Sequence, residues 1–222
     1  VKYGESSLIL DIYTRKMGLK TYVINGVRKR NARVKAANLQ VMNLLDLEVY
    51  EHSERDINRI KELRPTYIYR EIPFRIEKSA VGLFILEIVR KNIREKEKNE
   101  QLFEFLSDTF TFLDQTSEQI ANFHLVFLLS FAKALGFGPD NNFFDLREGS
   151  FQRQAPFHRD YLDQTESGLL NDFINCDFGQ QHTISLDKHS RASLLENLIR
   201  FYKIQQGDFG TVKSLEVYKD IF

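Results

Sequence analysis

The sequence predicts an α+β chain in which an N-terminal, OB-fold-like small β-barrel precedes an all-helical C-terminal domain. Three observations carry that prediction. Apolar residues recur with period two over roughly the first 68 positions, and beyond Pro65 and Pro73 the period lengthens to about 3.6. A single stretch, residues 12 to 45, holds eight basic residues and no acidic one, although the 222-residue chain balances 31 basic against 31 acidic residues.

The strands come first. Leu8, Leu10 and Ile12 alternate with Ile9, Asp11 and Tyr13, and Tyr22 and Ile24 alternate with Val23 after a Met17-Gly18 turn, which predicts a hairpin. Leu39 to Tyr50 continues the pattern with Val41, Leu45, Leu47 and Val49 on one side, and a last strand is expected over Arg59 to Tyr67. Several short strands in so few residues favour a closed barrel, because closure removes the exposed edges on which sheets aggregate.

The change of period places a domain boundary near residue 70, giving expected domains of residues 1–69 and 70–222. Val81, Phe84, Ile85, Ile88 and Val89 form one helical stripe, and Leu102, Phe103, Leu106, Phe110 and Leu113 another. From Ile120 a helix apolar nearly all round runs to Leu135 and stops at Gly136 and Gly138-Pro139, so it should be the buried central helix. A loop-rich stretch to about residue 165 follows, and helical patterns over Asp187 to Gln206 and Ser214 to Phe222 close the chain.

Composition narrows the function classes. No apolar run approaches the roughly 18 to 20 residues that cross a bilayer, and nothing after Val1 reads as a signal peptide. The one cysteine, Cys176, allows no internal disulfide, and a cytoplasmic location is expected. No Walker pattern, no nucleophile elbow and no Cys-His signature is present, so neither catalysis nor a cofactor is expected. His124, on the central helix, reads as a core histidine. His158, His182, His189 and Cys176 match no zinc spacing. The acidic pairs Asp160 with Asp163 and Asp145 with Glu148 are what a metal-dependent nuclease would need, and are also ordinary surface carboxylates.

The basic stretch comprises Arg15, Lys16, Lys20, Arg28, Lys29, Arg30, Arg33 and Lys35. Such a run attracts a polyanion by raising its local concentration and by displacing condensed counterions. It can follow a phosphate backbone without reading bases. A single-stranded ligand also calls for aromatic faces to stack on, for which Tyr13 and Tyr22 are candidates.

The order of several blocks resembles the RecO family of bacterial recombination mediators. These are Tyr3-Gly4-Glu5-Ser6-Ser7-Leu8, Thr14 with Gly18, Gly26-Val27-Arg28-Lys29, the helix ending Leu135-Gly136-Phe137, and Lys213-Ser214-Leu215-Glu216-Val217 with Asp220-Ile221-Phe222. The resemblance implies an N-terminal OB-fold, whose first strand would lie before Val1, and a helical C-terminal domain for protein interaction. It further implies binding of single- and double-stranded DNA, annealing of complementary strands, and work with RecR to load RecA on DNA coated by single-stranded-DNA-binding protein. No enzymatic turnover is implied.

Arg28 and Lys29 match the family's basic block, and the other six cations join them on charge. The helical domain of such proteins captures the acidic, Phe-ended tail of the coating protein, which would involve Phe123 and Phe127. Where some members place arginines before the first Phe of the central helix, this chain has Ala121 and Asn122, so Lys133 and Arg147 are the expected substitutes. Many members carry four cysteines after the central helix. Residues 139 to 168 contain none, and Phe144 to Phe151 resembles the metal-free variant, so no structural metal is expected. A protein-interaction adaptor without DNA affinity and a metal-dependent nuclease are the alternatives; salt-sensitive DNA binding separates the first, magnesium-dependent cleavage the second.

Overall fold

The computed structural model describes residues 2–3, 7–27, 39–50, 57–93, 98–134 and 143–221. It divides into two compact units, Val1–Glu71 with Ile93–Asp114, and Ile72–Asn92 with Gln115–Phe222.

The first unit is built on a sheet of β1 (Lys2–Tyr3), β2 (Ser7–Thr14), β3 (Gly18–Ile24), β4 (Leu45–Tyr50) and β5 (Ile57–Pro65). The strands run in the order β1-β2-β3-β5-β4. β3 and β5 are parallel and the other neighbours antiparallel, the strand order of an OB-fold. Thr14 closes the β2–β3 hairpin: its hydroxyl donates to the Gly18 carbonyl and accepts from the Met17 amide, and Gly18 has the positive φ of 64° that the turn requires.

Leu8 faces Ile24 and Leu10 faces Tyr22 across this pair. With Val27 and Ile60 these residues form a core against which Ile12, Leu47, Val49 and Leu63 pack. Period-two alternation sends Ile9, Asp11, Tyr13, Leu19, Thr21 and Val23 to the opposite, outer face.

A bulge at Glu48/Val49 leaves Lys61 without a partner in the ladder, so that Ile60 and Leu63 both turn inward although three residues apart. The bulge also sets Glu48 opposite Glu62, and the Lys61 ammonium, bonded to Glu48, offsets that repulsion. The strand expected from Leu39 begins only at Leu45. Residues 40 to 43 form a turn in which Met42 takes a φ of 71°, held by the Tyr69 hydroxyl donating to its carbonyl at 2.8 Å.

The helix α2 (Glu100–Gln115), expected within the C-terminal domain, packs instead on the sheet. Its Phe103 stacks on Tyr13 at 6.4 Å between ring centroids. At its far end Asp114, only 2% exposed, accepts from the backbone amides of Arg70 and Glu71 and from the Tyr67 hydroxyl, which fixes the exit from β5.

The second unit contains α1 (Ile76–Asn92), α3 (Phe123–Ala134), the hairpin β6 (Phe143–Asp145) with β7 (Ser150–Gln152), α4 (Gln164–Ile174), α5 (Lys188–Gln206) and α6 (Ser214–Ile221). Every residue from Phe123 to Leu129 is buried, as its all-round apolar pattern requires of a central helix. Val81, Phe84, Ile85 and Ile88 of α1 and Leu194, Leu198, Phe201 and Tyr202 of α5 belong to the same helical core. Asp187 caps α5 by accepting from the amides of His189 and Ser190, and Gly207, at φ 66°, ends it.

Two elements went unrecognised in the periodicity, the β6–β7 hairpin and α4. The start of α4 is nevertheless written in the chain: Asp163 caps it by accepting from the Glu166 amide, and Ser167, Leu170 and Phe173 are its buried face.

Glu87 of α1 supplies the cap that α6 lacks in its own sequence. Its carboxylate accepts from the amides of Lys213 and Ser214 and from the Ser214 hydroxyl. Farther along α6, the buried Tyr218 hydroxyl donates to the Ala121 carbonyl and lies 2.6 Å from His124 Nδ1. His124 is fully buried, and burial followed by the Arg191 charge holds its pKa well below the usual value. It is a neutral core histidine in hydrogen-bond contact with the tyrosine.

Candidate nucleic-acid interface

At the end of β3 the chain turns at Gly26, whose φ is 73°, and drives Val27 into the barrel core at 4% exposure. The basic run begins with the next residue. Arg28, Lys29, Arg30, Arg33 and Lys35 lie outside the described residues.

The other three cations lie among the described residues. Lys16 is exposed in the β2–β3 turn, and Lys20 sits on β3 opposite Ile12. Arg15 lies 5.2 Å from the centroid of the Phe103 ring and 3.6 Å from the Glu104 carboxylate. Its charge is therefore partly balanced, and of these three it is the least available to a phosphate.

Of the two tyrosines proposed for stacking, one is buried and the other is covered on one face. Tyr22 is 1% exposed in the barrel core, and Tyr13 lies against Phe103 with its hydroxyl donating to the Asn99 carbonyl. The reason is register: Tyr22 falls on the inner face, and Tyr13, although on the outer one, falls where α2 covers it. The open outer face carries residues the sequence reading missed. Tyr50 faces Arg59, which faces Val23, which faces Ile9, one row across four strands. Tyr50 is 49% exposed and Arg59 is exposed.

The tail-binding residues also need correction. Phe123 and Phe127 are both 0% exposed, stacked on Phe178 and Phe131, so neither can meet a peptide. Arg147 is paired with Asp160 at 2.6 Å, and Lys133 stands in the last turn of α3. A polar pocket of about 160 Å³ lies instead at the first turn of α3, about 16 Å along the helix from Lys133. Asn122, Gln181, His182, Ser185 and Arg191 line it.

Arg191 Nε donates to Asn122 Oδ1 at 3.0 Å and its Nη2 to the Leu186 carbonyl at 2.9 Å. Asn122 Nδ2 in turn donates to the carbonyls of Gln181 and Ile184. Gln181 Oε1 is buried without a donor. The pocket can thus offer a guanidinium to an anion. No local pattern points to it, because Asn122 and Arg191 stand 69 residues apart.

The acidic pairs considered for a nuclease have structural partners. Asp145 accepts from the amides of Arg147 and Glu148 and pairs with His158, and Asp163 caps α4. Asp160 binds Arg147 and Arg200, and the Arg147 guanidinium in particular holds its carboxyl below the ordinary range. Among the described residues no group of three or more His, Cys, Asp or Glu is placed to hold a metal ion. Nor, among them, is any helix long and apolar enough to cross a membrane.

The chain thus falls in the class of proteins in which an OB-type sheet unit is followed in sequence by a helical unit. Comparison with known proteins makes the assignment specific. The family model described as Recombination protein O N terminal matches residues 1–69, and the one described as Recombination protein O C terminal matches residues 73–215. The DNA repair protein RecO of Flavobacterium psychrophilum is 35% identical over 229 residues, covering 100% of this chain and 94% of that protein. That of Christiangramia forsetii is 35% identical with 100% and 95% covered, and that of Phocaeicola vulgatus 29% identical with 100% and 95% covered. The chain belongs to the RecO family of DNA repair proteins.

Proposed function

We propose that this chain is a recombination mediator that binds single- and double-stranded DNA, anneals complementary strands and, with RecR, helps load RecA on DNA coated by single-stranded-DNA-binding protein. The observation that carries this reading is the union of an OB-type strand order with a basic run that leaves the end of β3 directly after an anchored residue, Val27. A run without carboxylates neutralises two polyanions at once and holds neither by base identity, which lets paired strands shift register until they match. Lys16 in the β2–β3 turn is a further exposed cation. Arg191 at the pocket beside Asn122 is the cation we assign to the acidic tail of the coating protein, in place of Lys133 and Arg147. Its guanidinium suits a terminal carboxylate.

The test is a salt titration joined to an annealing assay. With four or five phosphate contacts on a single strand, the log-log salt slope of the wild type should be about −3, at roughly −0.7 per contact. Replacing Arg28, Lys29 and Arg30 together by alanine should flatten it by about 2, weaken all sequences alike and slow annealing. An unchanged slope would refute the role of the run, and the absence of any salt-sensitive binding alongside capture of RecR would favour an adaptor.

A further inference from the structure

The outer face of the barrel sheet is covered unevenly. At one end Phe103 lies over Tyr13 and Arg15. At the other, the row Ile9, Val23, Arg59 and Tyr50 crosses β2, β3, β5 and β4 with each neighbour in register. Ile57, opposite Thr21, adds apolar surface beside it at 44% exposure.

The cations of this face are not equivalent. Lys61 is bound to Glu48 and Arg64 to Asp46, each by an ion pair between β4 and β5. Arg59 has no acidic partner among the described residues, and it stands next to the half-exposed Tyr50 ring. Outer sheet faces are ordinarily polar, so an exposed aromatic beside apolar neighbours, with an arginine that has no acidic partner among the described residues, is the exception that calls for a ligand.

The row is also close in sequence to the basic run. Val23 is its β3 member, and the chain reaches the basic run within a few residues of it, past the anchored Val27. A flat ring beside a cation suits a nucleotide: the ring takes the face of the base and the guanidinium takes the adjoining phosphate. Only a single strand can present that base. In a duplex the base faces are already stacked on one another, and a tyrosine on a sheet meets only backbone.

Resting on the DNA-binding reading, we infer that Tyr50 and Arg59 form a base-stacking site through which the barrel prefers single-stranded to duplex DNA. Tyr50→Ala should weaken binding of a labelled oligothymidine about tenfold and that of a hairpin duplex by less than about twofold, whereas Tyr50→Phe should match the wild type. Arg59→Ala should weaken both ligands and flatten the single-strand salt slope by about 0.7.

A second measurement does not depend on a truncated side chain. The chain contains no tryptophan, so Tyr50→Trp installs a unique fluorophore. Its emission should be quenched by oligothymidine and not by the duplex. Wild-type protein without salt-sensitive DNA binding would overturn the DNA-binding reading itself. Wild-type binding with a Tyr50→Ala variant that is unimpaired, or impaired equally on both ligands, overturns only the stacking site, as does a bound oligothymidine that leaves the tryptophan unquenched.

Discussion

Replacing Glu87 by alanine should detach α6 from the helical unit. The carboxylate accepts three hydrogen bonds at the start of that helix, from Lys213 N at 2.9 Å, Ser214 N at 2.8 Å and Ser214 Oγ at 2.6 Å. Loss of a helix cap costs about 1 kcal/mol, and loss of a negative charge from a helix N-terminus about 0.3–1 kcal/mol more. The three donors lie near enough to solvent to find water, so the full penalty of burying them does not apply. The contact to Lys91, at 3.9 Å, adds only a few tenths. The total is about 2 kcal/mol, which for a protein of this size corresponds to a fall in Tm of roughly 4–8 °C.

Acid should reproduce the effect in the wild type. Burial alone would raise the Glu87 pKa, but hydrogen bonds from Ser214 and Lys213 and the Lys91 charge outweigh it and leave the pKa below the ordinary 4.5. A depressed carboxylate contributes its stability above 4.5, and that contribution is lost as the pH falls through the folded-state value. Thermal unfolding followed by circular dichroism, with hydrogen exchange of residues 214 to 221, measures both. A Glu87→Ala protein that melts within 1 °C of the wild type, with α6 amides equally protected, would refute the capping argument.

Two further predictions concern the same unit. Arg191→Ala should weaken binding of an acidic, Phe-ended peptide about tenfold or more, the usual worth of a charge-assisted hydrogen bond, while Lys133→Ala leaves it unchanged; isothermal titration decides between them. Tyr218→Phe removes the hydroxyl between the Ala121 carbonyl and His124 Nδ1, and should cost about 1–3 kcal/mol in denaturant titration because both groups are left unpaired in the core.

What was legible follows from the range of each interaction. The helices α1, α2, α3 and α5 announced themselves because a buried face repeats every 3.6 residues within one segment. The barrel hairpin did so through Leu8, Leu10, Tyr22 and Ile24. The β6–β7 strands, three residues each, are too short for any period to show, and α4 carries only three buried positions. The allocation of α2 to the sheet could not be read, since the stripe of Phe103 and Leu106 states that a face is buried and not against what. Lys133 and Arg147 were reasonable cations on paper. We propose Arg191 in their place because Lys133 stands at the end of α3 away from the pocket and Arg147 is held by Asp160.

The chain's charge pattern belongs to the sequence alone: eight cations without a carboxylate between residues 12 and 45 attract a polyanion in any conformation that exposes them. Whether an aromatic ring is free to meet a base belongs to tertiary structure. Tyr13, Tyr22 and Tyr50 are chemically alike, and only strand register, the bulge beside Val49 and the seat of Phe103 leave the third one open. Charge is summed over neighbours in the chain, whereas exposure is set by neighbours in space.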